Sequence, residues 1–549
     1  MRNIIIMILC ACLFLTGCDT TVSYFGIGLQ NSQNAQQSAA PLPQATAAVA
    51  SYALRFSTGL NLSMRSPKTF NPLVNEDISV NRVLRLLFEP LCEVRDNMRP
   101  TPNLLSRVEF ASDGMSAACT IREDIYWSDG VKMSAGDVQF SVQAIKNENG
   151  SELYKRIIED IDSIDIIDNS NFRVRFNKPQ GGVCYSLCFP AIPKHYYSGE
   201  IREDSRTALA PVGNGVYELA SIDSMRKISL KNNENSFKNK PYIERVTVLI
   251  LDDNKTDMQA FDQNIIDAVD SNYLAFGKYS GSKDIVTTAY NTNNYVFMGF
   301  NFQNVLFEDN MIRQAIAHSV DKDQIVESIY LNNAKKAGSV INPSSYMYEP
   351  DLKAYEFNMN EAKNILFSAG YRDNDLDGIL DKEMSGFTMA LKFRLLVNEE
   401  NTERMKVAQT IKNNLEQLNF VIEIDSCDFE SYMAKVQSGD YDMFIGTFNL
   451  DIKPDFRFFL HSESAGESGN YFHYKSDYLD MLIKDAESAK TETELRVALA
   501  SIQKHVAQEL PCISIAFVQG ALLSDAGIKG NKKPVMGNIF FNVEEWKIE

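Results

Sequence analysis

The tetrapeptide Leu15-Thr16-Gly17-Cys18 ends a short hydrophobic N-terminus and places a cysteine directly after two small residues. Leucine, a small polar residue, glycine and cysteine in this order match a bacterial lipobox, where a diacylglycerol is joined to the cysteine thiol and the chain is cleaved before it. An additional N-acyl chain would exceed the two signals that stable membrane anchoring requires. The chemistry predicted for Cys18 is therefore lipidation, with the mature chain starting at this residue.

The residues before Cys18 have the composition of an export signal. Arg2 supplies a positive charge, and residues 4–15 form an uncharged apolar run. In a helix this run spans about 18 Å, less than the roughly 30 Å of a bilayer core, which favours a cleaved signal over a membrane span. An ordinary signal peptide with an incidental cysteine is the alternative interpretation.

A flexible tether is predicted after the signal peptide. Residues 19–50 are rich in Gln, Ser, Ala, Asn and Thr and carry almost no charge. Such a composition buries too little apolar surface to fold. We expect residues 1–17 to be the signal peptide and residues 18–50 to be the lipidated tether.

The remaining groups that could do chemistry form no catalytic motif. No nucleophile elbow, phosphate loop or metalloprotease signature occurs, so we expect no catalytic residue, no cofactor and no enzyme. The five histidines form no close ligand pair, and we predict no metal site. Six cysteines remain in the domain, and their spacing assigns no disulfide pairing. They are Cys92, Cys119, Cys184, Cys188, Cys427 and Cys512.

An acidic segment imitates the start of a calcium loop. Asp373, Asp375 and Asp377 alternate, and Gly378 follows at the sixth position. The twelfth position is Met384, and the nearest glutamate comes one residue too early to be the bidentate ligand. We therefore predict an acidic surface turn.

Length and charge exclude several classes of protein. A chain of 549 residues is too long for one core and predicts two or three domains. The net charge of -18 argues against nucleic acid as a partner. The same charge mildly favours cationic over anionic ligands.

Strand and helix signals alternate from residue 52 onward and indicate an α/β chain. Strands are predicted at residues 52–56, 173–176 and 245–251, the last with both faces buried because its side chains are nearly all apolar. Asp309 and Asp321 are placed to cap two successive helices. Thr491 and Glu494 are spaced as a capping box ahead of a third helix.

Several motifs occur in the order typical of one transport family. They include Pro100-Thr101-Pro102-Asn103-Leu104, Trp127-Ser128-Asp129-Gly130, Pro211-Val212-Gly213-Asn214-Gly215-Val216-Tyr217, Lys240-Pro241-Tyr242, Ile312-Arg313-Gln314-Ala315-Ile316 and Ala369-Gly370-Tyr371. With these motifs the chain resembles the solute-binding proteins of peptide and nickel ABC transporters, family 5. The matches run from about residue 52 to the C-terminus.

The resemblance implies a two-lobed periplasmic-binding-protein-like fold (type II, cluster C) with an extra subdomain. Lobe I would combine residues 52–84, 206–293 and 519–549, and the extra subdomain would span residues 85–205. Lobe III would span residues 294–518. The ligand would be enclosed between lobes I and III, and the crossing segments near residues 293 and 518 would flex.

The resemblance also places a ligand site after the apolar segment at residues 443–447. Peptide-binding members carry Trp-Xaa-Xaa-Asp here, and the aspartate pairs with the α-ammonium of the peptide. Asp451 matches that aspartate, whereas Phe448 replaces the tryptophan. A role for Asp451 as the cap of the following turn is the alternative. Gly446, Thr447 and Asn449 complete the predicted ligand-binding segment.

The function implied is capture of an extracytoplasmic oligopeptide for delivery to an ABC permease and its ATPase. Binding of a nickel chelate or other small solute, or sensing of a peptide pheromone, are the alternatives. We expect a monomer, anchored through lipid to the extracytoplasmic face of the membrane, at a cell surface or in a periplasm.

Overall fold

The computed structural model describes residues 59–197, 207–223, 226–271, 278–279, 281–384, 386–466 and 469–549. Cys18, the predicted signal peptide and tether, and the strand predicted at residues 52–56 lie outside these ranges. Within them, no helix has the length and hydrophobicity that crossing a membrane requires.

The strands are distributed over the whole described chain. In chain order they are β1 Leu60–Met64, β2 Cys92–Val94, β3 Pro100–Pro102, β4 Leu105–Phe110, β5 Ser116–Ile121, β6 Ile161–Ile166, β7 Asn171–Phe176, β8 Tyr217–Asp223, β9 Lys227–Asn232, β10 Arg245–Ile250, β11 Ala268–Ser271, β12 Ile285–Phe300, β13 Ala334–Lys336, β14 Asp381–Met384, β15 Phe387–Ala390, β16 Lys392–Asn398, β17 Val421–Cys427, β18 Met443–Asn449, β19 Cys512–Asp525, β20 Ile528–Lys529 and β21 Lys547–Ile548.

The helices alternate with these strands, which confirms the predicted α/β class. In chain order they are α1 Ile78–Leu87, α2 Ala135–Lys146, α3 Glu152–Ile157, α4 Lys194–Tyr197, α5 Asn254–Asp262, α6 Asn310–Ser319, α7 Lys322–Gln324, α8 Met359–Ser368, α9 Thr402–Glu416, α10 Phe429–Ser438, α11 Arg457–Leu460, α12 Asp477–Glu487 and α13 Glu492–Glu509.

A four-stranded sheet of order β1-β10-β9-β8 lies in the segments assigned to lobe I. Val246 and Val248 of β10 belong to the large core, whereas Leu249 on the opposite face packs in a second cluster. Burial of both faces of β10 is thus confirmed. The polar side chains of β10 lie in its first half, where Arg245 is exposed and Thr247 is partly buried.

A second four-stranded sheet, of order β4-β5-β7-β6, lies in the segment assigned to the extra subdomain. The Trp127 ring is fully buried. The turn that follows Trp127 includes Gly130, whose φ is +84°. The two sheets share one hydrophobic core, which contains Leu60 from β1 and Phe172 from β7. Lobe I and the extra subdomain are therefore packed as one body.

The largest sheet lies mainly in the segment assigned to lobe III and has the order β11-β19-β12-β18-β16-β17, with β13 paired to β19. Its two faces are covered by separate apolar clusters. Asp309 caps α6 by accepting from Met311 N, and Asp321 caps α7 by accepting from Gln324 N, as predicted. In the predicted capping box, Thr491 accepts from Glu494 N, but the Glu494 carboxylate accepts from Lys490 N instead.

Strands β12 and β19 are the two longest strands of this sheet, and they pair with each other along most of their length. They join the segments assigned to lobe I to those assigned to lobe III. The pairing is irregular between Tyr290/Gly520 and Asn294/Val518. This irregularity coincides with the predicted crossing near residues 293 and 518. The domain boundaries themselves stay a prediction.

Candidate functional site

A cavity open to solvent lies where β18 ends, and its empty space is about 770 Å³ when the solvent at its mouth is included. Its wall comes from the extra subdomain through Met98, from the crossing segment through Asn293, and from two stretches of lobe III. Those stretches are residues 340–345, in part, and most of residues 448–459. We call this space the cleft cavity.

Four of the predicted site residues lie on β18, and their positions along the strand determine which of them line the cleft cavity. Phe448 lines it and packs its ring 4.7 Å from that of Phe297. Asn449 also lines it and is exposed. Gly446 is buried in the sheet, where a Cβ would come within 2.4 Å of the Phe297 ring. Gly446 therefore serves packing, because only glycine leaves room for that ring.

Thr447 points away from the cleft cavity. Its Oγ1 accepts from Arg404 Nε at 3.1 Å, so its side chain contacts α9. Strand alternation does not explain the division, because Gly446 shares a face with Phe448 and Thr447 shares one with Asn449. Only the last two residues of β18 reach the cavity. Of the five predicted positions on this segment, Phe448, Asn449 and Asp451 line the cavity, whereas Gly446 and Thr447 do not.

The Asp451 carboxylate is accessible to solvent but lies within the cavity wall. Desolvation raises its pKa, the Arg156 guanidinium partly offsets this, and Asp455 raises it further. Its backbone carbonyl accepts from Asn293 Nδ2 at 3.0 Å, which fixes the turn. The carboxylate accepts no hydrogen bond from the described residues, and the following turn is capped by Asp455, which accepts from Arg457 N. Asp451 is thus a carboxylate available to an incoming cation.

A cross-lobe ion pair lies beside Asp451. Lys453 of lobe III donates to Asp160 of the extra subdomain. Asp160 is 4% exposed, and it also accepts from Lys178 at 2.9 Å and from Gln180 at 3.2 Å. Burial alone would raise the pKa of Asp160, but Lys453, with Lys178, more than offsets this and holds it below its usual value.

Further contacts join the extra subdomain to lobe III. Arg99 pairs with Glu492 at 2.7 Å and lies 5.2 Å over the Tyr346 ring. The hydroxyls of Tyr185 and Tyr346 are 2.9 Å apart. Tyr346 N also donates a backbone hydrogen bond to Asn97 O, at 3.0 Å. The cleft cavity is consequently bordered by contacts that cross between the two bodies.

Sequence reasoning missed the partners that complete this site. Lys453 stands two residues after Asp451, yet no local pattern points to Asp160, which is 293 residues away. Asn293 was predicted only as part of a crossing segment, not as a residue that holds the Asp451 turn. The position of Lys453 directly after the predicted ligand-binding segment was the signal that could have pointed to it.

The other chemical groups singled out from the sequence lie elsewhere. The carboxylates of Asp373, Asp375 and Asp377 lie within 4.8 Å of one another. Asp373 accepts from Gly378 N, and Asp377 from Ile379 N, as in a self-capped acidic turn. None of the described histidines or cysteines lines the cleft cavity.

Comparison with known proteins identifies the class. The model of the bacterial extracellular solute-binding proteins, family 5 Middle, matches residues 99–470. The chain belongs to this family, which confirms the resemblance seen in the motifs.

Individual relatives agree with that assignment. The oligopeptide-binding protein AppA of Bacillus subtilis is 23% identical over 506 residues, covering 88% of this chain and 90% of AppA. The structure of AppA in complex with a nonapeptide has a TM-score of 0.61 at 21% identity, covering 90% of this chain and 99% of that one. The structure of NikZ from Campylobacter jejuni with Ni(L-His) has a TM-score of 0.66 at 24% identity, covering 90% and 100%. The two-lobed fold is thereby confirmed.

Proposed function

We propose that this protein captures oligopeptides outside the cytoplasm and delivers them to an ABC permease with its ATPase. The observation that carries the proposal is the Asp451 carboxylate, which lies in the wall of the cleft cavity, is accessible from it and has no hydrogen-bond partner among the described residues. A peptide α-ammonium would offset the desolvation that raises the pKa of this carboxylate, because a charge pair removes the penalty that each charge alone would suffer.

Other residues of the cleft cavity also suit a peptide. Asn449 places an exposed side-chain amide in its wall, and Phe448 with Ile341 supplies apolar surface. An amide can hydrogen-bond to an extended peptide backbone, and apolar surface can accept side chains of varied shape. The description of the relative AppA as oligopeptide-binding supports the same ligand class.

Lobe closure would couple ligand capture to delivery. The ion pair between Lys453 and Asp160 joins lobe III to the body that contains lobe I. A ligand that contacts both bodies favours the closed arrangement, and a permease can then distinguish loaded from empty protein. Lipidation of Cys18 would keep this domain at the extracytoplasmic face of the membrane, about 30 Å of tether away from its anchor.

The cavity favours peptide over a nickel chelate, the alternative that the structure of NikZ with Ni(L-His) raises. Among the described residues that line the cleft cavity there is no histidine, and the Asp451 carboxylate is accessible to an ammonium group. Imidazole is the nitrogen ligand that nickel commonly takes from a protein.

Ligand identification tests the proposal directly. Protein purified without unfolding should release peptides that mass spectrometry identifies. A library of free peptides should raise the melting temperature of ligand-stripped protein, because binding to the folded state alone is stabilising. Nickel–histidine complexes form the comparison arm. A flat response to every peptide, together with stabilisation by nickel–histidine, would overturn peptide capture.

A further inference from the structure

Lobe III contains a second cavity that the peptide site does not use. Its empty space is about 1020 Å³ when the solvent at its mouth is included. It lies beneath residues 348–357, a segment with no helix or strand, and is bounded by the ends of α6 and α13 and by the start of β19. We call it the inner cavity.

The ammonium of Lys322 lines the inner cavity. It donates to Ala337 O at 3.0 Å, which uses one of its three N–H groups. Among the described residues, no carboxylate forms an ion pair with it. Desolvation lowers the pKa of Lys322 to about 8, and Glu356, followed by Lys336 and Cys512, modifies that effect. Lys322 is therefore a desolvated cation with hydrogen-bonding capacity to spare.

The other charges around the inner cavity do not neutralise Lys322. Lys336 pairs with Asp323 at 2.8 Å, so that carboxylate already has a cation. Lys353 lies 5.0 Å over the Tyr355 ring. With Glu356 counted, three lysines face two carboxylates in the wall, and the excess charge is positive.

The wall also contains apolar side chains beside these charges. They include Val320, Leu352, Phe357, Val506 and Leu510. Apolar side chains next to one partly desolvated cation suit a small molecule that has a hydrocarbon chain and one anionic end.

We propose that the inner cavity is a second ligand site, which binds a small organic carboxylate with an apolar chain through Lys322. The carboxylate accepts from the free N–H groups of Lys322, and the chain packs against the apolar wall. The bond is charge-assisted, and Lys322 is partly buried, so the bond is stronger than a surface ion pair.

Sodium hexanoate and its neutral analogue hexanamide are suitable probes. Isothermal titration of the full mature chain with hexanoate should show saturable binding, and hexanamide should bind about tenfold or more weakly. The K322M variant keeps the length of the side chain and removes its charge, and it should lose about tenfold or more in hexanoate affinity. The K363M variant, on the exposed face of α8, should bind as wild type does.

Two further measurements separate this site from the peptide site and from misfolding. The D451N variant should keep full hexanoate affinity, since Asp451 lines the other cavity. K322M should melt no lower than wild type, because it removes a desolvated charge. Equal hexanoate affinity in wild type and K322M, or no saturable binding up to about 10 mM, would overturn the proposal.

Discussion

The two cavities present side chains of opposite charge, and their walls have different origins. The cleft cavity presents the Asp451 carboxylate and takes its wall from lobe III, the crossing segment and the extra subdomain. The inner cavity presents the Lys322 ammonium and takes its wall from lobe III alone. The first selects a cationic group, and the second an anionic one.

The difference in walls matters for the effect of a ligand. A ligand shifts a conformational equilibrium only by its difference in affinity for the two states. Occupants of the cleft cavity meet both bodies and can favour closure. Occupants of the inner cavity meet one lobe, so their binding leaves the lobe arrangement unchanged. The position of a pocket relative to the crossing segments thus determines whether a ligand bound there changes the equilibrium between open and closed lobes.

The largest expected effect comes from the charge in the cleft cavity. D451N should weaken the binding of a peptide with a free N-terminus at least about 30-fold, because its ammonium loses a desolvated partner. The N-acetylated form of the same peptide should bind wild type and variant alike. Isothermal titration measures both.

The matched control for this variant is D455N. Asp455 lines the same cavity but already accepts from Arg457 N, so its removal should affect both peptide forms little. Equal losses of the free and acetylated peptides in D451N would remove Asp451 from the anchor role.

A smaller effect is expected from the cross-lobe ion pair. K453M should lower peptide affinity about fivefold, because the closed arrangement loses a contact between the bodies. Hexanoate affinity should not change. The control is K178M, since Lys178 contacts the same Asp160 from within the extra subdomain and is 41% exposed. A greater loss in K178M than in K453M would argue against a role of the pair in closure.

The smallest effect is a pH dependence of closure. The pKa of Asp160 is lowered in the folded protein, mainly by Lys453 acting against desolvation. The resulting stabilisation is complete above the unfolded value of about 3.9 and is lost as the pH falls through the lowered pKa. Small-angle scattering should show the radius of gyration of wild type rising over that interval.

The D160N variant serves as the reference for this titration. It lacks the titrating carboxyl, so its radius of gyration should already be larger at neutral pH and change less in acid. Superimposable curves for wild type and D160N would show that the ion pair does not control closure.

Much of the local structure was predictable because it depends on neighbours in the chain. Asp309 and Asp321 cap helices through bonds to residues two or three positions away, which a sequence pattern contains. The capping box at Thr491 was only half correct, since Glu494 found another backbone donor one residue earlier. That choice depends on the entry angle of the chain, which the pattern does not contain.

The sequence by itself determined the family, the α/β class, the segment that places Phe448 and Asp451 in one cavity, and the prediction of lipidation at Cys18. Tertiary structure alone decided that Thr447 contacts Arg404, that Lys453 pairs with Asp160, and that Lys322 is partly buried in the wall of a cavity. The physical reason is that desolvation and long-range ion pairing depend on which distant segments fold over a side chain. Those segments are chosen by packing across the whole molecule.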